Sequence, residues 1–371
     1  MNRRSSPGPR RPPPRPAPPP DQPRYEIEAD VLEGLEQIAE AELSERFGGR
    51  VRFEDAARPG ALRFSYAGDL ADLLKLRSVV AVYGVQYFAI PRPKGLLGNQ
   101  QFGELSGAIS AVIGLAPSGA YATLRLSAAG EDSSVLTRLK EHLAQRFGLA
   151  VAADEGDLLI RLRRARGGDG WETLVRLTPR PLATRAWRVC NWPGALNASL
   201  AYAMIALTEP APDDLVLNLA CGSGTLLIER LLAGRAQQAI GCDTDAASLD
   251  CARANLRAAG LDRAARLEGW DAGDLPLENA SISMICVDLP FGQLVGSHRE
   301  NQEFYPRVFA EAARVAQPGA RMVLLTHEVR LLERTAERFA QQWRLLDLLR
   351  VRSGGMTPAV ALLRRARNGP E

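Results

Sequence analysis

This chain of 371 residues has little of what membrane, metal-binding and disulfide-rich proteins need. It has no uncharged apolar run of about 18 residues, the length of a membrane helix, and no apolar stretch follows its basic N-terminus. We therefore expect neither a membrane span nor a signal peptide. Its few histidines and cysteines form no C-x-x-C pair and no ligand cluster, which predicts a reducing, cytoplasmic location without a bound metal or a disulfide framework. These residues are His142, His298, His327, Cys190, Cys221, Cys242, Cys251 and Cys286.

The net charge is small as well. Apolar residues make up 46% of the chain and charged residues 24%, the balance of a soluble globular protein. The formal net charge is +3, but residues 1–24 carry six arginines and one aspartate, or +5, which leaves −2 for the rest. A body this close to neutral cannot bind nucleic acid through bulk charge, so a polyanionic partner must bind local basic patches.

The chain divides into four predicted segments. Residues 1–24 contain ten prolines and cannot form a core, so we expect a disordered basic tail, either without a role or loosely attracted to RNA. Residues 25–95 and 96–180 alternate short strand and helix patterns and are predicted to be two small α+β modules. Strands and helices alternate regularly in 181–371, which is typical of an α/β domain with a parallel sheet.

A dense basic stretch ends the second module. Between residues 161 and 188 the sequence has eight arginines and two acids, Asp169 and Glu172. The planar guanidinium suits the geometry of phosphate, so we favour a phosphate-contacting face over the alternative, a strand with a merely solvated outer face. The candidate RNA-contacting residues are Arg161, Arg163, Arg164, Arg166, Arg176 and Arg180.

The C-terminal pattern predicts a buried strand at 215–219, then a glycine turn and a helix at 225–232. Further strands are predicted at 239–242, 265–267, 281–287, 322–325, 345–351 and 359–363, and further helices at 246–258, 304–316 and 331–339. Ligands of such sheets bind at the carboxyl ends of the strands, and the polar motifs of this region follow those ends.

Three successive strand ends indicate a nucleoside site. The first carries Gly222 and Gly224 in a tight turn, where glycine lets a ligand approach the backbone. The three-glycine dinucleotide fingerprint fails because Leu227 takes its third position, which disfavours a nicotinamide enzyme. Asp243 closes the second strand, where a carboxylate can accept from ribose hydroxyls, and Asp271 follows the third, where it can accept from an adenine amine. Each acid alone could equally be a turn residue or a helix cap.

The fourth strand end carries the sequence Asp288-Leu289-Pro290-Phe291. The exocyclic amine of a base is a poor nucleophile because its lone pair is delocalised into the ring. The Asp288 carboxylate and the Leu289 carbonyl can accept its two N–H groups and aim the lone pair at an electrophilic methyl group. Pro290 stiffens the loop and Phe291 offers a face for stacking an extruded base. The alternative is an ordinary β-turn that contains Asp and Pro.

These motifs together resemble the class I S-adenosylmethionine-dependent amino-methyltransferases. Residues 25–371 resemble the THUMP-domain RNA methyltransferases, and among them the tRNA guanine-N2 methyltransferases that act at position 6 of the acceptor stem. The resemblance implies a Rossmann-like catalytic domain at 181–371, a ferredoxin-like module at 25–95 and an RNA-binding THUMP domain at 96–180. It implies a THUMP domain that binds the tRNA 3′ end and a catalytic domain that uses S-adenosylmethionine. We expect the protein to be a monomer. The catalytic residues would be Asp288, Leu289, Pro290 and Phe291, and the cofactor-binding residues Gly194, Ala195, Leu196, Asn197, Ala198, Asn218, Cys221, Gly222, Ser223, Gly224, Thr225, Asp243, Thr244, Asp271, Ala272 and Asp288.

The chain departs from the family pattern at two positions. Asn218 stands where the first strand usually carries an acid, although an amide oxygen can still accept a hydrogen bond. Leu289 stands where the related adenine enzymes carry proline, which suits guanine-N2 enzymes better. Residues 354–358 either line the base pocket or form a plain hairpin turn. The alternative functions are methylation of ribosomal RNA guanine or of an adenine amine, and RNA binding without catalysis.

Overall fold

The computed structural model describes residues 23–55, 58–290 and 298–367, which form two β-sheets with their helices. The predicted tail at 1–24 lies almost entirely outside the described residues. The first sheet has eight strands in the order β2-β3-β1-β4-β8-β7-β5-β6. Its strands are β1 (Arg24–Asp30), β2 (Val51–Glu54), β3 (Ala61–Ala67), β4 (Ala81–Phe88), β5 (Thr123–Ala128), β6 (Ala150–Val151), β7 (Leu158–Arg164) and β8 (Trp171–Arg176). The helices of this unit are α1 (Glu36–Phe47), α2 (Leu70–Leu73), α3 (Asn99–Ile113) and α4 (Ser134–Phe147).

The two predicted N-terminal modules share this sheet. Strands β1 to β4 come from the first module and β5 to β8 from the second, and the antiparallel pairing of β4 with β8 joins the two halves edge to edge. Strand β8 was missed by the sequence analysis, because buried Glu172 and Arg176 interrupt its apolar pattern. The boundary at residue 95 stays a prediction.

The second sheet has seven strands in the order β11-β10-β9-β12-β13-β15-β14. Its strands are β9 (Leu215–Leu219), β10 (Gln238–Cys242), β11 (Arg266–Glu268), β12 (Ile282–Asp288), β13 (Ala316–Thr326), β14 (Trp343–Arg350) and β15 (Ala359–Arg365). Its helices are α5 (Ala198–Leu207), α6 (Thr225–Ala233), α7 (Ala246–Ala258), α8 (His298–Val315) and α9 (Val329–Arg338). Strands β9 to β13 pair in parallel, and β15 and β14 complete the sheet antiparallel.

Both faces of the second sheet are buried. Val216 and Met284 pack into the core beside α5 and α6, whereas Leu217 and Ile285, one residue further along the same strands, pack beside α8. The strand order reverses between β9 and β12, which opens a crevice at their carboxyl ends. The predicted α/β fold with a parallel sheet is confirmed.

The element bounds differ from the predictions in three places. Helix α8 begins at His298 rather than at 304, because its first turns are polar and show no apolar period. Strand β13 extends over Ala316–Thr326 because its Gln-Pro-Gly sequence, which resembles a turn, lies where the register with β12 shifts. Helix α5 was missed, since it is apolar on all sides and has no amphipathic period.

One buried carboxylate joins the two units. Glu229 of α6 is fully buried and accepts hydrogen bonds from Arg77 Nε at 3.0 Å and Arg185 Nε at 2.9 Å. The guanidinium of Arg77 also lies 4.7 Å from the ring centre of Tyr202 in α5. Because α6 starts directly after the glycine turn, this cluster fixes the N-terminal unit to the helix that begins at the predicted cofactor site.

The expectation that the cysteines stay unpaired is wrong. Cys190 and Cys251 form a disulfide with a Cα–Cα distance of 5.4 Å. They lie 61 residues apart, so the spacing rules for local pairs could not detect them. Cys221, Cys242 and Cys286 are free and buried. Among the helices of the described residues, none is long and apolar enough to cross a bilayer.

Candidate active site

The glycine turn has the conformation that the sequence predicts. Gly222 and Gly224 have φ values of +51° and +81°, and α6 begins at the next residue, Thr225. A Cβ atom on Gly222 would meet nothing within 4 Å, whereas one on Gly224 would lie 3.2 Å from Ala252 Cβ. The first glycine therefore leaves open space over the backbone, and the second permits close packing against α7. Cys221, directly before Gly222, and Ser223, between the two glycines, are buried.

Asp243 is tied to this turn. Its Oδ2 accepts the N–H of Gly222 at 2.8 Å, and its Oδ1 accepts the N–H of Asp245 at 3.0 Å. The half-buried carboxylate keeps lone pairs for further donors, and Thr244 beside it is exposed. The structure thus brings two predicted cofactor residues, Gly222 and Asp243, into direct contact across 21 residues of sequence.

Asp271 has a partner that the sequence did not reveal. Its Oδ1 accepts the Gly273 N–H and its Oδ2 accepts from Arg307 of α8, both at 2.8 Å. The hydrogen bond from Gly273, and then the guanidinium of Arg307, lower the pKa of Asp271 and keep it ionised. Ala272 beside it is buried. Arg307 lies in α8, 36 residues away from Asp271. Nothing in the sequence of this helix distinguishes Arg307 as the partner of Asp271.

The segment 194–198 is held against the start of α6. Gly194 has a φ of +75°, and Asn197 caps α5 by accepting the N–H groups of Ser199 and Leu200. Arg188 donates to the Leu196 carbonyl at 2.7 Å and to Thr225 Oγ1 at 3.2 Å. The predicted methionine-end residues therefore lie beside the glycine turn, with Ala195 half-buried and Ala198 buried between them.

Asp288 ends β12 with no partner for one oxygen. Its Oδ1 is buried and has no hydrogen-bond partner among the residues that the structure describes. Burial raises the pKa of Asp288 to about 7. Leu289 behind it is fully buried, and the predicted Phe291 lies outside the described residues. A buried carboxyl oxygen without a donor is unfavourable for folding, so a functional site is the expected place for one.

Asn218 carries a second unpartnered acceptor. It is 1% exposed, and its Nδ2 donates to the carbonyls of Leu219 at 3.2 Å and Cys286 at 3.1 Å, while its Oδ1 has no partner in the described part of the chain. Asn218 lies opposite Cys286 in the parallel pairing, and Asp288 is two residues further on. Side chains two apart share a face, so both unpartnered oxygens belong to the same face of the sheet.

Pro290, two residues after Asp288, is held by α8. Asn301 and Tyr305 both donate to the Pro290 carbonyl, each at 2.9 Å. The turn at 354–358 joins β14 to β15 with reciprocal hydrogen bonds between Ser353 and Met356, so it is a hairpin. It lies near the carboxyl end of β13, because Ala359 pairs with Thr326. Whether it also lines a base pocket stays a prediction.

Two of the candidate RNA-contacting arginines are used inside the fold. Arg176 is 7% exposed and donates to the carbonyls of Gly156 and Thr178, both at 2.9 Å, so its guanidinium is bound inside the fold and a phosphate contact for it stays a prediction. Arg163 donates to Glu28 at 2.5 Å and to Glu172 at 3.0 Å. Glu28 is 135 residues distant, so a local count of charges overestimated the positive charge of this stretch.

The other four arginines are more accessible. Arg161 is 35% exposed and pairs with Asp30 at 2.7 Å. Arg164, Arg166 and Arg180 are exposed. Arg180 lies 3.4 Å from an exposed glutamate, a weak surface pair that a phosphate can replace. These four stay candidates for contacts with RNA.

A cleft of about 620 Å³ lies between the two units rather than at Asp288. Arg58, Arg161 and Asp30 line it from the first unit, and Arg352, in the turn after β14, lines it from the second. Arg58 and Arg161 both pair with Asp30, and Arg352 contacts Glu33. The fourth arginine of the lining, Arg163, pairs with Glu28, which is not part of the lining. The lining therefore holds four arginines and two acids, a formal charge of +2, but each guanidinium already has an acidic partner, so the cleft gives no separate argument for a phosphate site.

Comparison with known proteins identifies the second unit. Residues 185–359 match the family described as RMKL-like, methyltransferase domain. This segment, slightly less than half of the chain, is similar to the methyltransferase domains of that family. The match starts at Arg185, beside the buried carboxylate of Glu229, and ends at the first residue of β15. The predicted Rossmann-like methyltransferase fold is confirmed for the second unit.

Named relatives and a solved structure extend the comparison. The chain is 32% identical over 186 residues to tRNA (guanine(6)-N(2))-methyltransferase THUMP3 of Mus musculus, a match that covers 47% of this chain and 37% of that protein. The tRNA (guanine(6)-N2)-methyltransferase of Thermus thermophilus is 28% identical over 91% of this chain and 99% of its own length. The crystal structure of TrmN from Thermus thermophilus aligns with a TM-score of 0.70 and 25% identity, covering 92% of this chain and 99% of TrmN.

Proposed function

We propose that this protein transfers a methyl group from S-adenosylmethionine to N2 of a guanosine in tRNA, at position 6 of the acceptor stem. The observation that carries the proposal is the buried carboxylate oxygen of Asp288, which has no partner among the described residues and ends β12 on the same sheet face as Asn218. Both relatives are named as tRNA guanine-N2 methyltransferases, which supports N2 of a tRNA guanine as the acceptor, and the relative from Thermus thermophilus aligns with both units of this chain.

The residues at the strand ends fit the cofactor. Gly222 leaves open space over its backbone, and the Oδ1 of Asn218 is a buried acceptor that needs a donor. We propose that Asp243 accepts from the ribose hydroxyls and that Asp271 and Ala272 contact the adenine. The segment 194–198 and Asn218 would hold the methionine end, since an ammonium group satisfies an unpartnered amide oxygen. S-adenosylmethionine supplies an electrophilic methyl group on a positively charged sulfur.

The protein's own contribution is orientation and proton acceptance. One N–H of the target amine donates to Asp288 and the other to the Leu289 carbonyl, which aims the nitrogen lone pair along one direction. The amine becomes acidic as its bond to the methyl carbon forms and the bond between that carbon and the sulfur breaks, which would leave the neutral thioether S-adenosylhomocysteine. Asp288 then takes the proton on a side-chain oxygen, and its pKa of about 7 makes it a better base than an ordinary carboxylate. No histidine is needed for this step.

The N-terminal unit is proposed to bind the tRNA 3′ end as a THUMP-type module, with the enzyme acting as a monomer in the cytoplasm. Arg164, Arg166 and Arg180 are the exposed arginines that support this placement. The buried Glu229 cluster keeps this unit at a constant position relative to Asp288. A tRNA held at its end would therefore present a fixed nucleotide to the methyltransferase domain.

The test is methylation of purified RNA by the full chain. Unmodified tRNA transcripts and ribosomal RNA are incubated with isotopically labelled S-adenosylmethionine, and nucleosides and mapped fragments are analysed by mass spectrometry. We expect N2-methylguanosine at position 6 of tRNA. Label in ribosomal RNA alone, or in N6-methyladenosine, would replace this proposal with one of the alternatives. Cofactor and tRNA binding without turnover would indicate an inactive RNA-binding protein.

A further inference from the structure

Pro290, two residues after Asp288, is held by a network of buried side chains that no sequence motif predicted. The Pro290 carbonyl receives two hydrogen bonds from α8, from Asn301 Nδ2 and Tyr305 Oη, both at 2.9 Å. A carbonyl oxygen has two lone pairs, so this acceptor is fully used. Asn301 is 1% exposed and Tyr305 is fully buried, so water does not compete for either bond.

The donors in this network can point in only one direction. Tyr305 Oη lies 2.6 Å from Thr326 Oγ1, and Thr326 Oγ1 accepts the N–H of Glu328 at 2.9 Å. The Pro290 carbonyl can only accept and the Glu328 N–H can only donate. The hydroxyl of Thr326 must therefore donate to Tyr305, and the hydroxyl of Tyr305 must donate to Pro290. Such a chain polarises each bond in turn.

Asn301 has the matching role on the other side of the carbonyl. Its Nδ2 also donates to a carboxylate oxygen of Glu328 at 2.5 Å, so both amide hydrogens are used. The second Glu328 oxygen contacts His298 at the start of α8. Two side chains of α8, Asn301 and Tyr305, thus contact the Pro290 oxygen. Thr326, which ends β13, and Glu328, two residues further on, support them. The Pro290 carbonyl therefore points toward α8.

We propose that Asn301, Tyr305 and Thr326 are positioning residues for methyl transfer, which hold the Pro290 carbonyl away from the target amine so that Asp288 and Leu289 alone receive it. This inference rests on the proposed function. A peptide that could rotate would offer the amine a third acceptor in a different direction and would spread the orientation of its lone pair. Misorientation lowers the rate of transfer without weakening binding.

The test compares variants of the full chain for kcat, KM for tRNA, cofactor affinity and thermal midpoint. Tyr305→Phe keeps the ring and removes the donor; we expect kcat to fall about tenfold with KM and cofactor Kd within about twofold. Thr326→Val removes the hydroxyl at constant shape and should lower kcat as well, whereas Thr326→Ser restores the hydroxyl and should restore kcat. The matched control is Tyr121→Phe, because Tyr121 is another buried tyrosine that donates to a backbone carbonyl, that of Leu177 at 3.4 Å.

The outcomes separate this inference from the proposed function. Wild type that methylates no RNA refutes the proposed function. Wild type that is active while folded Tyr305→Phe keeps its kcat refutes the positioning role alone. Equal losses in Thr326→Val and Thr326→Ser would also refute it, since they would mean that shape rather than the hydroxyl matters. A parallel weakening of cofactor binding would assign the network to the cofactor pocket and overturn the inference.

Discussion

A buried acid of the first sheet and one of the second sheet differ in their partners. On the first sheet Glu28 is fully buried and lies within 4 Å of Arg58, Arg63 and Arg163. At the end of β12, the Oδ1 of Asp288 is also buried, yet it has no partner within the described ranges. A saturated carboxylate stabilises the fold, whereas an unsaturated one destabilises it and remains available to a ligand. For these two buried acids, Glu28 and Asp288, the presence or absence of partners therefore separates the structural role from the proposed functional one.

The largest effect is expected from Asp288→Asn. The amide keeps the shape of the side chain but neither carries charge nor accepts a proton, so turnover should fall roughly 10²–10⁴-fold. Cofactor affinity, measured by titration, should stay nearly unchanged. A retained turnover, or a large loss of cofactor affinity, would contradict the role assigned to Asp288.

The same variant has a stability signature that sharpens the comparison. Burial raises the pKa of Asp288 from 3.8 to about 7. At a pH between these two values, Asp288 is therefore protonated in the folded state and ionised in the unfolded state. Wild type should therefore lose stability relative to Asp288→Asn as the pH rises from about 4 to 7. Denaturant unfolding at several pH values measures this difference, and parallel curves for the two proteins would argue against a buried, unpartnered carboxyl.

Glu28→Gln should show the reverse pattern, a large loss of stability with turnover retained per folded molecule. Burial alone would raise the pKa of Glu28, but the hydrogen bond and charge of Arg163, with Arg58 and Arg63, outweigh it and lower the pKa. We expect a loss of about 3 kcal/mol in the free energy of unfolding. This loss should shrink as the pH falls below the normal range of glutamate, where wild type also loses its ion pairs. A stable but inactive Glu28→Gln protein would break the comparison.

An intermediate effect is expected from Asp243→Ala. The change removes a proposed ribose acceptor and the partner of the Gly222 N–H, so cofactor binding should weaken by roughly 1–3 kcal/mol. Isothermal titration of the full chain measures this loss. Asp245→Ala is a suitable control, since Asp245 caps α7 through the Ala247 N–H at 2.9 Å and should affect stability alone. Equal cofactor affinities for the two variants would remove Asp243 from the site.

The smallest effect is expected from the exposed arginines. Replacing Arg164 and Arg166 with alanine should weaken tRNA binding and reduce the slope of log K against log salt by about 1 for each phosphate that the variant no longer binds. Arg176→Ala should instead lower the thermal midpoint, because its guanidinium is bound by backbone carbonyls. If replacing the buried Arg176 changes the salt dependence of tRNA binding and replacing the exposed Arg164 and Arg166 does not, then the number of partners an arginine has inside the fold does not predict whether it contacts RNA.

The sequence predicted those features that depend on local order. The alternation of strands and helices after residue 192, the glycine turn, and the acids at the strand ends all follow from short patterns, and the structure brings Gly222, Asp243 and Asp288 to one edge of the sheet. The partners of these groups could not be predicted, because they come from distant elements. Arg307 pairs with Asp271 across 36 residues, and Arg163 with Glu28 across 135.

The buried Glu229 cluster holds the two units in one arrangement, and this has a consequence for how a substrate would be selected. The Glu229 carboxylate is buried between the guanidiniums of Arg77 and Arg185. Separating it from either arginine would leave an unpaired charge inside the protein, which opposes movement of one unit relative to the other. Under the proposed function, in which the N-terminal unit binds the RNA end, such a fixed arrangement would select the target guanosine by its distance from that end. Shortening or lengthening an acceptor stem by one base pair should move the methylated nucleotide along the sequence while its distance from the RNA end stays constant.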